Sequence, residues 1–310
     1  MGREDSRGER GVGMTPGSRT ENATAMNRKL DEIGTKYAGP RPAVSVVILT
    51  LNEEANIRGA IESCSWSDDV CVLDSGSTDR TAEIARAAGA RVFVNPFKSF
   101  GAQRNWAIDN IPLKHDWVFH LDADERFTPE LVREMSELLA RSPDEAGFYV
   151  ANQMILDGAW IKRASGYPAY QMRLFHKGRM RFGDHGHGQR EATNGKIGTL
   201  KHPYVHYNFS KGMEEWRARH DRYSTLEARE ILAARASGAG VSWSGLFSRD
   251  GMVRRRALKG LAARIPMRAQ VRWLHMMFVK GAILDGPAGR KYAGMLYWYE
   301  GEIARKVKQG

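Results

Sequence analysis

Cysteine is nearly absent: Cys64 and Cys71 are the only two in 310 residues. A pair that sparse excludes a disulfide framework or a structural zinc site and fits a reducing cytosol. Long apolar runs are missing as well. The N-terminus has no apolar segment after its charged residues, which predicts neither a signal peptide nor a spanning helix, and so a protein that stays where it is made. Acidic residues thin out towards the C-terminus. Between Ser244 and Gly310 stand fourteen Lys and Arg against four Asp and Glu, so +10 of the formal +11 lies there. A charge so placed points to an anionic partner for that segment rather than for the whole chain.

What is present is ample for a folded enzyme. Hydrophobic residues make up 42% of the sequence and charged residues 27%, enough for a sizeable core in one large domain or two small ones. Residues 1–42 are rich in Gly, Arg, Glu, Ser and Thr and close on Pro40 and Pro42, which predicts a disordered tail, with Met14 and Met26 as alternative starts. The apolar run Val44 to Leu49 predicts a strand buried on both faces. A helix capped by Asn52 is expected next, with Glu53 and Glu54 in its first turn and Ile57, Ala60 and Ile61 as its apolar stripe. Further strands are expected at Val70 to Leu73, Arg91 to Val94 and Trp117 to Leu121. Helices are expected between them, and from Thr128 and Pro129 to about Ala140. This alternation predicts a doubly wound α/β sheet. After Pro143 come strands without helices, at Gly147 to Ile155, Tyr170 to His176 and Gly183 to Gly188, then a long polar helix from Ser210 to Arg235.

Ligands of an open parallel sheet bind beyond the carboxyl ends of its strands. Three of those ends are polar here: Thr50, Asn52 and Glu53; Asp74; and Asp122 with Asp124. In Asp122-Ala123-Asp124 the alternation of a strand end brings two carboxylates together, with a small residue turned away between them. Bare carboxylates repel a diphosphate, so such a pair suits one only with a hard divalent cation between, Mg²⁺ or Mn²⁺. One acid would hold the metal and the other a ribose hydroxyl. Asp122, Asp124 and Glu125 as helix-capping acids before Thr128 are the simpler alternative.

The run Val44 to Glu54, the turn Asp74-Ser75-Gly76-Ser77-Thr78-Asp79-Arg80-Thr81, the triplet Gln103-Arg104-Asn105 and Asp122-Ala123-Asp124-Glu125 resemble, in order and spacing, the family 2 inverting glycosyltransferases. The likeness spans roughly residues 43 to 230. It is greatest to the lipopolysaccharide-core glucosyltransferase group, which the Gly281 to Gly289 stretch also resembles. The resemblance implies a GT-A nucleotide-diphospho-sugar transferase fold, with a Rossmann-like, mostly parallel sheet and a C-terminal helical extension. It implies transfer, with inversion, of a sugar from a nucleotide sugar such as a UDP-hexose to a lipid-linked or lipopolysaccharide acceptor. Carried over residue by residue, Thr50, Asn52 and Glu53 would line the nucleotide pocket, with Asp74 on the base and Ser77 and Arg104 nearby. Asp122 would approach the ribose and Asp124 the metal.

Inverting transfer needs a base for the acceptor hydroxyl, and related sequences place a carboxylate where Glu191 stands here. They commonly read Val-His-Glu, whereas Gln189-Arg190 precede Glu191 in this chain. Asp184 is the second candidate. His206 corresponds to a His that recurs in the resembling group and would reach the metal or the diphosphate, or is a hydrogen-bonded histidine at a strand end. His185 and His187, alternating on one strand face, have a spacing that suits a metal, or they would shape the acceptor pocket, flanked by Trp160, Tyr167 and Tyr170.

The segment Val271 to Leu284 is too short and too charged to span a bilayer. With Arg254, Arg255 and Arg256 before it and Tyr292, Met295, Leu296, Tyr297, Trp298 and Tyr299 after it, it reads as an interfacial anchor on anionic lipid. Packing onto the catalytic domain, or a dimer contact, is the alternative. The expected division is a tail at 1–42, a catalytic domain at 43–236 and a basic extension at 237–310, in an enzyme held at the cytoplasmic face of the cell membrane. Two rivals fare worse. A nucleotidyltransferase wants a Gly-rich, Lys-bearing loop after its first strand, where Thr50-Leu51-Asn52-Glu53-Glu54 is acidic. A nucleic-acid-binding protein wants a recognition motif beside the basic cluster, and none accompanies it.

Overall fold

The structure, a computed structural model, describes residues 37–185, 188–236, 243–254, 257 and 267–309. Most of the expected tail, His187, Arg255 and Arg256 lie outside the described residues, as does the side chain of His185.

The first strand, β1 (Val44–Thr50), is buried along almost its whole length, as an apolar run between two helical layers must be. It pairs in parallel with β2 (Val70–Asp74) on one side and β4 (Trp117–Asp122) on the other, and β2 pairs in parallel with β3 (Arg91–Val94). The helices α1 (Ile57–Ser63), α2 (Thr81–Ala87) and α4 (Pro129–Leu139) cover one face, and α3 (Phe100–Asn110) covers the other. Burying Ile48, Leu73 or Phe119, each fully enclosed, stabilises the fold by about 1.5–3 kcal/mol.

The sheet then changes hand of pairing. The neighbour of β4 is the antiparallel β8 (Tyr170–His176), followed by β6 (Gly147–Leu156) and β12 (Tyr204–His206), with the two-residue β5 (Glu125–Arg126) at the edge. The short strands β7 (Ala159–Trp160) and β11 (Ile197–Thr199) pair with β6. Where one strand was expected near Gly183–Gly188 there is a separate hairpin, β9 (Arg181–His185) with β10 (Gly188–Ala192), lying on α3. Asn52 is not a helix cap, because α1 begins five residues later behind Asn56 and Asn52 takes a left-handed conformation at φ 54°.

At the amino edge of the parallel strands the buried acid is fully satisfied. Asp69, its side chain enclosed, accepts from Ser45 Oγ at 2.5 Å, the Lys114 amide at 2.8 Å and Arg91 at 2.6 Å. Burial raises its pKa, but those donors more than offset it and hold the carboxyl below its ordinary range. Both cysteines are free and buried.

Beyond β12 lies α5 (Gly212–Ala236). The short α6 (Trp243–Leu246) and α7 (Arg268–Leu274) follow, then a π-helical turn His275–Val279, a 3-10 turn Ala282–Asp285 and the long α8 (Gly286–Gln309). The aromatic segment expected at a membrane is partly core. Met295 and the flanks of Tyr292, Leu296, Trp298 and Tyr299 pack with Trp216 of α5, Leu156 and Ile161. Lys306 fastens α8 to α5 by donating to the Asp221 carboxylate and carbonyl, Ser224 and Thr225 at 2.6–2.8 Å. The glycine-rich stretch is a joint. Asp285, its side chain 3% exposed, accepts from the amides of Arg163 and Ala164 at 2.8 and 2.7 Å, and a side chain at Gly289 would collide with the Ala282 carbonyl. Asp285→Ala strips the amides of Arg163 and Ala164 of their acceptor and should lower unfolding free energy by about 1–2 kcal/mol. Urea denaturation followed by tryptophan fluorescence checks this, and an unchanged midpoint would show the joint to be dispensable.

Candidate active site

The chain order 3-2-1-4 reverses direction between β1 and β4, so the connections leaving those two strands part and open a crevice. Parallel register aligns its walls: Thr50 lies beside Asp74, and Leu49 beside Asp122. Here, unlike around Asp69, buried polar atoms lack partners. Thr50 Oγ1, Arg104 Nη1 and His206 Nδ1 are all enclosed and unpaired. Such atoms carry a desolvation cost of about 1–3 kcal/mol each unless a ligand or water engages them.

The loops after β1 and β2 are laced together. Asn52 Oδ1 accepts from the Thr78 amide at 2.8 Å, and the amides of Asn52 and Glu53 donate to Ser77 Oγ and Thr81 Oγ1 at 2.8 Å. Asp74 accepts from the Ser77 hydroxyl at 2.5 Å and from its amide. Asn52 and Ser77 thus hold the shape of the loops, while Asp74 stands 3% exposed at the crevice floor. Glu53 is clasped by Lys211 at 2.5 Å and by Asn56 at 2.7 Å. Burial, reinforced by the nearby Asp124 charge, leaves its pKa raised despite Lys211.

Each residue of the Gln103-Arg104-Asn105 triplet joins α3 to a different neighbour. Gln103 reaches Ser75 and Asn95, and Asn105 pairs with the backbone of Phe182 through both its amide atoms. Arg104 donates to Gln189 at 2.7 Å and comes within 3.9 Å of Asp122. Burial, then the neighbouring Arg173 charge, lowers the Arg104 pKa to about 10, so it remains a cation at neutral pH.

Three acids occupy four residues at the end of β4, and their surroundings separate them. Asp122 has a side chain 40% open to the crevice and accepts from Arg173 at 2.7 Å. Burial would raise its pKa, but Arg173 and then Arg104 hold it well below the carboxylate range. Asp124 lies 3.3 Å from His206 Nε2, and the Asp124 carbonyl accepts from the Tyr207 amide at 2.8 Å. Against the effect of burial, the Asp124 carboxylate raises the His206 pKa to about 9, and a cation bound between the two would displace that proton. Glu125 is wholly enclosed, held by the Asp122 amide at 2.9 Å and Arg173 at 2.5 Å, and burial raises it to about 8.

The two candidate bases sit on the hairpin. Asp184 spends both oxygens at the start of α3, accepting from Ser99 Oγ at 2.8 Å and the Gly101 amide at 3.1 Å. Gly101 is required there, since a Cβ would stand 2.8 Å from Asp184 Oδ1. Glu191 accepts from the Tyr149 hydroxyl, which burial and this carboxylate push up. Gln189, two residues nearer the hairpin tip, is the one that meets Arg104. Trp160 packs edge to face with Tyr167 at 5.0 Å beneath Lys162 and joins the cluster of Ile155, Val205 and Tyr207, while Tyr170 is exposed.

Arg173, Tyr204 and Lys211 escape a motif-based reading, and the motif that contains Glu125 gives that residue no role. Arg173 had a signal: a lone charge among the buried Met172, Leu174 and Phe175 must find a partner inside.

Comparison with known proteins agrees with this geometry. The family model described as "Glycosyl transferase family 2" matches residues 45–194. The lipopolysaccharide core biosynthesis glycosyltransferase LpsC of Rhizobium meliloti is 30% identical over 203 residues, 61% of this chain and 72% of that protein. An uncharacterised glycosyltransferase of Rickettsia bellii is 38% identical over 36% of this chain and 37% of its own length. Among solved structures, glucosyl-3-phosphoglycerate synthase from Mycobacterium tuberculosis, in complex with Mn²⁺ and UDP-glucose, aligns at a TM-score of 0.35. It is 23% identical over 55% of this chain and 62% of that one. Fold and crevice are those of an enzyme of glycosyl transfer, and the chain belongs to glycosyl transferase family 2. Its mixed, mostly parallel sheet with a C-terminal helical extension is of the GT-A type.

Proposed function

We propose that the chain moves a sugar, with inversion at its anomeric carbon, from a nucleoside diphosphate donor such as a UDP-hexose to a lipid-linked or lipopolysaccharide acceptor. The observation that carries this reading is the Asp124–His206 pair, set at the ends of β4 and β12 beside the crevice where Thr50, Asp74 and Asp122 align. The acceptor class is that of similar proteins: LpsC, by its name, acts in lipopolysaccharide core biosynthesis. A further relative, undecaprenyl-phosphate 4-deoxy-4-formamido-L-arabinose transferase of Pseudomonas paraeruginosa, is 31% identical over 39% of each chain.

The donor set suits Mg²⁺ or Mn²⁺ bound in part by protein. Asp124 offers oxygen and His206 nitrogen, and no group of three or more metal-ligating side chains forms among the described residues, so water and diphosphate oxygens would complete the shell. A cation held there would stabilise the negative charge on the departing diphosphate. Asp74 takes the base and Asp122, on its open side, the ribose. Arg104, with its unpaired Nη1, adds a fixed positive charge at the crevice wall. Glu191 accepts the proton of the acceptor hydroxyl as that oxygen bonds to the anomeric carbon and the bond to the diphosphate oxygen breaks. Asp184, both oxygens already engaged, is the weaker base.

Membrane contact is the other half of the proposal. Leu274, Phe278, Val279, Ile283 and Leu284 are 43–74% exposed, with the exposed cations Arg272, Lys280 and Arg290 among them. No helix among the described residues is long and apolar enough to cross a membrane. An apolar strip with a basic fringe suits the headgroup region of anionic lipid.

A thermal-shift panel of nucleotide sugars with Mn²⁺ or Mg²⁺ identifies the donor. Asp124→Ala should lower kcat at least about 100-fold and abolish the Mn²⁺ contribution to that shift. EDTA should do the same to the parent, and full turnover in either case would falsify the metal assignment. Glu191→Gln should cut kcat by about 10²–10⁴ with UDP affinity unchanged by calorimetry. Retained turnover would transfer the role to Asp184 or elsewhere, with Asp184→Asn as the companion measurement. For the membrane, flotation with phosphatidylglycerol vesicles should succeed for the parent, fail with neutral phosphatidylcholine, and weaken several-fold in Phe278→Glu/Leu284→Glu. Equal flotation of the parent and the double variant would exclude the strip.

A further inference from the structure

The end of β4 raises a question of chemistry: three carboxylates stand within four residues, and only Asp124 faces His206. Arg173 answers it. Its side chain is 1% exposed, and one nitrogen, Nη2, donates to Asp122 at 2.7 Å and to Glu125 at 2.5 Å. The rest of the guanidinium is fixed as well. Nη1 donates to the His120 carbonyl at 3.3 Å, Nε to the Tyr204 hydroxyl at 3.4 Å, and Cζ lies 5.1 Å from the Tyr204 ring centroid. β8 runs antiparallel beside β4, which delivers this side chain from beneath the strand end rather than from the crevice mouth.

We infer that Arg173 is a positioning residue that decides which acid is free to hold a cation, by engaging Asp122 and Glu125 and leaving Asp124 with His206. The inference rests on the reading of Asp124 and His206 as cation ligands. Without the guanidinium, Asp122 keeps Arg104, at 3.9 Å, as its nearest ion-pair partner. Its carboxylate, 40% exposed, is then free to turn towards Asp124, and two or three oxygens converge where one is offered now. Such a cluster binds divalent cations more tightly on its own. It also removes Asp122 from the donor. Arg173 therefore exchanges raw cation affinity for a shell left open to diphosphate oxygens.

This makes a prediction of opposite signs. In Arg173→Met, Mn²⁺ alone should bind about tenfold tighter, read by electron paramagnetic resonance of free Mn²⁺, while UDP at saturating Mn²⁺ binds about tenfold more weakly by calorimetry. A purely structural role would weaken both together. Since Arg173→Met leaves Glu125 enclosed without its partner and so risks misfolding, Arg173→Met/Glu125→Gln is measured beside it. That pair of changes leaves no buried charge unmatched, because Asp122 opens to water, and should show the same two shifts. Arg173→Lys keeps the charge on a single point and should hold Mn²⁺ affinity within about twofold of the parent, with UDP weakened. Thermal unfolding establishes which variants are folded. Unchanged Mn²⁺ and UDP affinities in the folded variants, or a parallel loss of both, would overturn the inference while leaving the proposed function standing. A parent chain that binds neither Mn²⁺ nor UDP would instead sink the proposed function.

Discussion

Carboxylates crowded at the end of a buried strand repel one another, and in a medium poorer than water in screening that repulsion reaches several kcal/mol. The carboxyl edge of this sheet is arranged around that constraint. Arg173 and Arg104 come to Asp122 from opposite sides of the sheet, His206 comes to Asp124, and Glu125 is closed off with an amide and a guanidinium. Their contrasting environments separate the three acids: Asp122 is held strongly ionised by the arginines, Asp124 is lowered by His206, and Glu125 is raised by burial. His120 lies beneath them, edge to face with Phe175 and stacked on Phe182, its pKa well below the usual value through burial and the two arginines. A neutral ring there adds no further charge to the cluster.

The same cluster ties the second half of the chain to the first. Gln189 of the hairpin holds Arg104, Asp184 holds the start of α3, and Asn105 binds the backbone of Phe182. The hairpin is therefore set in place through α3, which also carries the arginine facing Asp122. Any movement of the hairpin on binding an acceptor would be felt by Arg104, and through it by the donor side.

Much of this was legible in the sequence, and the exceptions have physical causes. β1, β2 and β4 are apolar runs covered on both faces, so their hydrophobicity alone locates them and the polar residues that end them. The strands β5, β7, β11 and β12 have only two or three residues, too few for any periodicity. Asn52 in front of two glutamates has the composition of a helix start, yet tertiary bonds to the turn after β2 claim it, at a left-handed φ. Asp184 was legible as a carboxylate on a Gly-rich strand but not as the brace of a helix eighty-three residues earlier, because only the folded hairpin brings them together. The sequence marked Arg104 through its motif and passed over Arg173, whose meaning lies in being the one charge in the buried stretch Met172 to Phe175.

The C-terminal segment divides more finely than its composition suggests. Its aromatic and basic residues look alike along the chain, but the π-helical turn sends Met276 and Met277 inward and Phe278 and Val279 outward, and the Asp285 joint then fixes Ile283 and Leu284 outside. That joint grips the amides of Arg163 and Ala164, three and four residues after Trp160, and Trp160 packs in the cluster that holds Val205 and Tyr207 on either side of His206. A short path of packed residues therefore runs from the exposed apolar strip to His206, the proposed cation ligand. If the strip rests on lipid, the path sets the height of the crevice above the headgroups, which is the distance a lipid-linked acceptor has to cover.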